Sequence, residues 1–195
     1  MDLKIIIIML SSFLTVVAFI PYIVDILKGV TKPRIISWFL WTILSSIACV
    51  AALIEHQYPT AILMLVSAFG TLAICLLGWR FGDKDISRVD IICLSGALFG
   101  IALWKLFDSP AIAVIFMIAI DFIAGIPTLF HAWNKPNEET LTTFVLSFAG
   151  AILTLLVIEN WQITSFAFPL FLVLVNFEFM LVVVLRRLFL RSKKR

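Results

Sequence analysis

Asp121 stands eleventh in an apolar run of 23 residues, 111–133. An aspartate at the centre of a membrane helix costs roughly 2.5 to 3.5 kcal/mol on insertion scales, so it must meet water or a polar partner. Its carboxyl can take up or release a proton there. At helical spacing Gly125 and Thr128 (i+4 and i+7) share its face, which sets a carboxyl, a gap and a hydroxyl in a row. Such a row either lines a cavity or binds a neighbouring helix by hydrogen bonds. Asn176 and Glu178, in the run 163–185, are about 200° apart around a helix, so a narrow pocket receives only one of them. Trp38 and Trp41 share a face at i, i+3 near the start of the run 35–54. That pair serves either as an interfacial anchor or as a stacking surface for a ligand.

These residues need elements to hold them, and composition decides which. Hydrophobic residues make up 63% of the 195 and charged residues 14%, with mean hydropathy +1.13. A soluble domain carries roughly 25% charged residues, so this chain is expected in a bilayer. Seven apolar runs approach the ~20 residues that a spanning helix needs: 5–27, 35–54, 60–79, 89–107, 111–133, 140–158 and 163–185. What remains is short loops and tails, with no room for a domain outside the membrane. The runs are continuous, not alternating, which excludes a β-barrel. The first run is too long for a signal-peptide core and lacks a small-x-small cleavage site, so a retained helix is expected. Cys49, Cys75 and Cys93 lie in apolar runs without CxxC or histidine spacing, which suggests neither a disulfide framework nor a metal site.

Basic residues orient the chain. One side of the seven-span layout holds only Lys4 and Lys105. The other holds Lys28, Lys32, Arg34, Arg80, Lys84, Arg88 and Lys135, then Arg186, Arg187, Arg191, Lys193, Lys194 and Arg195 in the tail. Cytoplasmic loops carry the basic excess, so the N-terminus is expected outside and the C-terminus inside. The tail is expected to lie against anionic lipids. The net charge of +3 mostly restates that tail and gives no sign of nucleic-acid binding.

An internal repeat is visible at an offset of 106 residues. Ala18-Phe19-Ile20-Pro21 falls on Ala124-Gly125-Ile126-Pro127, and both read A-x-I-P. A Lys-Pro pair follows each, Lys32-Pro33 and Lys135-Pro136. The next run then opens with hydroxyl residues, Ser37 in one half and Thr140, Thr142 and Thr143 in the other. Helices one to three thus correspond to helices five to seven, in parallel orientation with a linker helix between. Proline within a helix removes a backbone hydrogen bond and clashes with the carbonyl four residues back, here Val17 and Ile123. Paired breaks of this kind point to a hinge or a pathway, so Pro21, Pro127 and Gly125 are the expected hinge. Asp25 and His131 occupy matching places and are expected on the solvated rim.

These features resemble the PQ-loop superfamily, which includes the SWEET-like transporters with their 3+1+3 helices. The family's glutamine positions are taken by Tyr22 and Thr128, and its prolines in the second and sixth helices are absent. The resemblance implies an all-α integral membrane protein. Its parts would be a first three-helix repeat at 1–87, a linker helix at 88–109 and a second repeat with the basic tail at 110–195. It also implies Asn176 as a substrate-facing asparagine of the seventh helix, with Ser67 at the comparable place in the third. The expected function is transport of a small polar solute by alternating access, proton-linked through Asp121, along a pathway of Asp121, Asn176, Thr128, Ser67, Trp38 and Trp41. The alternative is a non-transporting adaptor or receptor of the same superfamily. Location in the cell membrane (plasma or inner) is expected, with no cofactor. Gly96 and Gly100 form a G-x-x-x-G that suits close packing or homo-oligomers. An enzyme is not expected: the chain has no HExxH and no serine beside a histidine. A retinal pump is excluded by the absence of a lysine from the seventh span.

Overall fold

The computed structural model describes residues 3–54, 56, 58–104, 109–159 and 161–193, leaving the side chains of 59, 60, 104 and 110 undescribed. Lys105, Lys194 and Arg195, which enter the charge asymmetry, lie outside the described residues. So does the end of the fourth expected span, 105–107.

Every regular element among the described residues is helical. Helices α1 (Leu3–Val17) and α2 (Phe19–Leu27) form one 25-residue apolar stretch interrupted at Ala18. The interruption lies three residues before Pro21, whose missing N–H leaves the Val17 carbonyl without its helical donor. After α2 the chain reverses through Gly29, whose positive φ of 71° suits a residue without a Cβ. Helices α3 (Ile35–Ile54), α4 (Tyr58–Phe81), α5 (Arg88–Trp104) and α6 (Pro110–Asn134) follow. A 3₁₀ turn, Pro136–Glu138, leads to α7 (Leu141–Leu156) and α8 (Ile163–Ser192). Ser87 and Asp90 form a capping box at the start of α5. The Ser87 N–H donates to Asp90 Oδ2 at 2.7 Å, and the Asp90 N–H donates to Ser87 Oγ at 3.3 Å.

Among the described residues, five stretches are long and apolar enough to cross a membrane: Leu3–Leu27, Ile35–Ile54, Ala61–Phe81, Ala111–Asn134 and Ile163–Ser192. Helix α7 is shorter than its expected span of 140–158. Thr140 is extended (φ −92°, ψ 98°) and Val157 has left helical geometry, so 16 residues remain, a rise of about 24 Å. Helix α5 has 17 described residues.

Packing closes six segments into a ring. Going round it, α1/α2 meets α4, then come α3, α6, α8 and α7, which returns to α1/α2; α5 lies outside against α6 and α3. The G-x-x-x-G of α5 is used within the chain. A Cβ at Gly100 would stand 2.8 Å from Ile120 Cγ1 of α6, so this close approach belongs to the α5 and α6 pair and gives no separate sign of self-association.

The distribution of side chains is inverted relative to a protein in water. Phe13, Trp79, Ile92 and Phe99 are 62–74% exposed, whereas Thr31, Ser37, Asp90, Thr128 and Glu139 are at most 1% exposed. Apolar surface on this scale suits an apolar solvent. The several long apolar helices are compatible with a multi-pass integral membrane protein.

Candidate functional site

The Asp121, Gly125 and Thr128 row of α6 faces α3. The Trp41 indole lies beside the Asp121 carboxyl. At Gly125 an added Cβ would lie 3.7 Å from both Trp41 Cζ2 and Phe179 Cζ, so the glycine gap is where rings of α3 and α8 approach the α6 backbone. The Thr128 N–H, just past Pro127, donates to Ser37 Oγ at 3.3 Å. Helix α6 continues through Pro127, unlike α1/α2 ahead of Pro21. Trp38 is 4% exposed and packs on Tyr22 at 4.7 Å and edge-on to Trp41 at 5.0 Å between ring centroids. Both tryptophans are therefore interior residues, and the anchor alternative fails for Trp38 because its ring is enclosed by α2 and α3. Trp41 also packs against the α3, α5 and α6 core at Leu40, Ala97, Ile120 and Ala124.

The remaining pathway residues lie apart from this seam. Asn176 of α8 is partly buried and donates to the Leu172 carbonyl of its own helix at 2.8 Å. Ser67 of α4 is partly buried, and its carbonyl accepts a hydrogen bond from Thr71. Thr71, which is 6% exposed, also accepts from Thr42 of α3 at 3.2 Å. Neither Asn176 nor Ser67 shares a hydrogen bond with the α6 row.

The densest polar chemistry lies elsewhere, at the end where α2, α4, α6 and α8 finish and α3, α5 and α7 begin. We call it the basic end. Arg34 pairs with Asp90, donates to the Asp85 carbonyl at 2.7 Å and stands 3.5 Å from Asp83. Lys135 donates to Asp83 Oδ2 at 2.7 Å. Lys32 and Glu138, which correspond at the 106-residue offset, join through side chains at 2.8 Å and through a backbone bond at 3.0 Å. Tyr22 Oη donates to Glu139 Oε2 at 2.9 Å. The Thr31 and Thr140 hydroxyls meet at 2.6 Å, and Thr140 donates to Asp25 at 2.9 Å. Arg187 of α8 donates to the Pro136 and Glu139 carbonyls at 3.0 and 2.6 Å.

His131 is a correction to the sequence expectation. It is 5% exposed, not on the rim, with Nδ1 3.5 Å from Asp83 and Nε2 3.4 Å from Glu138. Asp25 is likewise partly buried by its bond to Thr140. Both were read as solvated because they end helices, but the 135–140 loop folds back over them.

Charge in this network follows from its geometry. Burial pushes the Asp83 carboxyl up, but hydrogen bonds from Lys135 and the Asp85 backbone, with the charges of Lys135 and Arg34, hold it below the ordinary carboxylate value. The Asp83 hydrogen bond in turn raises the Lys135 ammonium. Burial pushes the Glu139 carboxyl up to about 8, against the Tyr22 hydrogen bond and the Arg187 charge, which favour ionisation. Asp83, His131 and Glu138 bring one ligand-type atom each within 4.8 Å of one another. The Asp83 carboxylate already has two cationic partners of the chain itself, Lys135 and Arg34.

Several buried polar atoms have no hydrogen-bond partner: Trp38 Nε1, Thr128 Oγ1 and Thr143 Oγ1 among the ring helices, and Asp90 Oδ1, His131 Nε2, Glu138 Oε2 and Glu139 Oε1 at the basic end. Two shallow depressions, of about 350 and 310 Å³, lie elsewhere, one around Lys4 and Glu159 and one between Phe13 and Ile62. Sequence reasoning did not mark Arg34, Asp83, Asp90 or Glu139 as site residues. The S-x-x-D at Ser87 to Asp90 was a legible sign of a helix start, but nothing local indicated that Arg34 would cover it. No family model, curated protein or solved structure gives a significant match to this chain.

Proposed function

We propose that the protein carries a small polar solute across a membrane by alternating access between two three-helix bundles, α1/α2 with α3 and α4 against α6 with α7 and α8. The ring's contacts support the repeat. The junction of α1/α2 with α7 corresponds, at the 106-residue offset, to the junction of α6 with α3. On this reading α5 is the linker, the N-terminus is outside and the basic end lies in the cytoplasm.

The observation that carries the proposal is the α3 and α6 junction. A carboxyl, a glycine gap and a hydroxyl of one bundle face Ser37 and Trp41 of the other. Thr128 Oγ1 is buried there with unspent hydrogen-bonding capacity. An unmade buried hydrogen bond costs about 1 to 3 kcal/mol, and a polar solute or water that supplies it recovers that cost. The polar groups are few, which favours a neutral or weakly charged solute over a multiply charged one. The break at Ala18 lets α2 move separately from α1, and α2 is the segment that Tyr22 and Asp25 tie to the other bundle. Asp121 is the carboxyl that links transport to protons.

Purified protein in liposomes is expected to carry at least one solute from a panel of sugars, amino acids and vitamins. Asp121→Asn is expected to alter the rate or its pH dependence. A thermal-shift screen over the same panel narrows the substrate class first, because a ligand of the folded state raises the melting temperature. Absence of flux across the panel, together with a stoichiometric protein partner on the loops of the basic end, would overturn transport in favour of an adaptor.

A further inference from the structure

Within the basic end one carboxyl differs from all the others. Glu139 is 1% exposed and directly precedes the extended Thr140 at the start of α7. Its Oε2 accepts one hydrogen bond, from Tyr22 of α2, and its Oε1 accepts none. The charged groups around it come from every neighbouring segment, yet each is committed elsewhere. Arg187 of α8 spends its guanidinium on two backbone carbonyls, Arg34 before α3 is paired with Asp90, and Glu138 on the same loop is paired with Lys32. Asp25 of α2 accepts from Thr140. No cation hydrogen-bonds the Glu139 carboxylate.

A buried carboxylate with a single hydroxyl donor and no bonded cation is costly, whereas the protonated acid is tolerated. We propose that Glu139 is a proton-binding site whose occupancy holds α2 against the 135–140 loop, so that closing the basic end takes up one proton and opening releases it. The site is made by apposition. Tyr22 lies beyond the break at Ala18, on the short segment best able to swing, and withdrawal of α2 would admit water to the carboxyl. The gating meaning rests on the transport reading; the proton site itself does not.

The sign follows from linkage. A hydrated Glu139 titrates near the ordinary value of about 4.3, and the enclosed one near 8. The closed form is therefore most favoured below the ordinary value and loses ground as pH rises towards about 8, beyond which the difference is constant.

Infrared difference spectra of the purified protein in lipid nanodiscs, taken between pH 6 and pH 9.5, read the site directly. A protonated-carboxyl band is expected to disappear on the alkaline side in the native chain and to be missing from Glu139→Gln. Tyr22→Phe removes the donor that favours the carboxylate, so the midpoint is expected to rise. A band that survives in Glu139→Gln and vanishes in Asp121→Asn assigns the proton to Asp121 and overturns the proposal, as does the absence of any band. For the gate, Lys32→Cys with Glu138→Cys is cross-linked in native and Glu139→Gln backgrounds, the ratio of the two rates cancelling thiol ionisation. That ratio is expected near unity at pH 6, with the Gln background several-fold faster at pH 9. Equal ratios at both pH values would separate the proton from closure. Both measurements use substrate-free protein, so a failure to find flux leaves them intact, and flux without a titrating Glu139 removes only this site.

Discussion

The two ends of the helix ring are held by different physics. At the basic end, ion pairs and hydrogen bonds cross between sequence-distant segments and bury Arg34, Asp90, His131 and Glu139. Among the described residues of the opposite end the polar links include the exposed Lys4 and Glu159 pair and, deeper, Ser11 of α1 on the Gly150 carbonyl of α7 at 2.9 Å and Cys49 of α3 on the Ala61 carbonyl of α4 at 3.3 Å. Among the described residues, the difference teaches that the basic end is held by groups that titrate and can exchange partners, whereas the opposite end carries fewer such links.

Arg34→Met should have the largest effect. It strands Asp90, whose side chain is 1% exposed, as an uncompensated buried charge, and such breaks cost about 3 to 5 kcal/mol. Thermal unfolding in detergent measures the loss, and a change as small as that of a surface pair would remove the contrast between the ends. Next comes Gly82→Ala. A Cβ there would stand 2.4 Å from the Gly78 carbonyl oxygen and 2.6 Å from that of Pro33, backbone atoms with little room to yield. About 1 to 3 kcal/mol of overpacking strain is expected in the same assay.

Ser11→Ala, at the opposite end, gives up the hydrogen bonds of the Ser11 hydroxyl with the Gly150 carbonyl and the Thr154 hydroxyl and is expected to cost about 1 to 2 kcal/mol. Lys4→Met should cost less again, about 0 to 1 kcal/mol, because its partner Glu159 is largely exposed. A pH series sharpens the contrast further. The Asp83 carboxyl is lowered, so its contribution is complete above the ordinary carboxylate value and is lost as pH falls through the lowered one. Below the ordinary carboxylate value, under the range in which Glu139 titrates, acid should therefore loosen the 82–87 loop of the native chain, read as faster proteolysis of that loop. In Asp83→Asn the acid-induced increase should be smaller.

Helix content was legible in the sequence because membrane helices satisfy their backbone bonds locally and write their length as continuous apolar runs. All seven helical stretches span most of their expected ranges. The end of the fourth lies outside the described residues, and α7 is shortened where Thr140 turns to meet Thr31 and Asp25. The A-x-I-P repeat located both prolines, yet only the first helix breaks. At Pro127 the next N–H, that of Thr128, finds Ser37 on α3, an outcome that depends on a neighbour. The row of Asp121, Gly125 and Thr128 was readable as one face from helical periodicity, whereas Trp41, expected with it on one pathway, is set beside it by the packing of α3 on α6.

The basic end was not legible. Its defining pairs join residues 52, 56 and 117 positions apart: Lys135 with Asp83, Arg34 with Asp90, and Tyr22 with Glu139. In sequence each of these side chains is an ordinary loop charge or helix-end aromatic. By itself, the order of residues determined the solvent this chain requires and where its helices run, since hydropathy and backbone hydrogen bonding act over a few turns. Only the tertiary structure decided which charges leave water, because the free energy of a buried charge depends on the partners that distant segments bring to it.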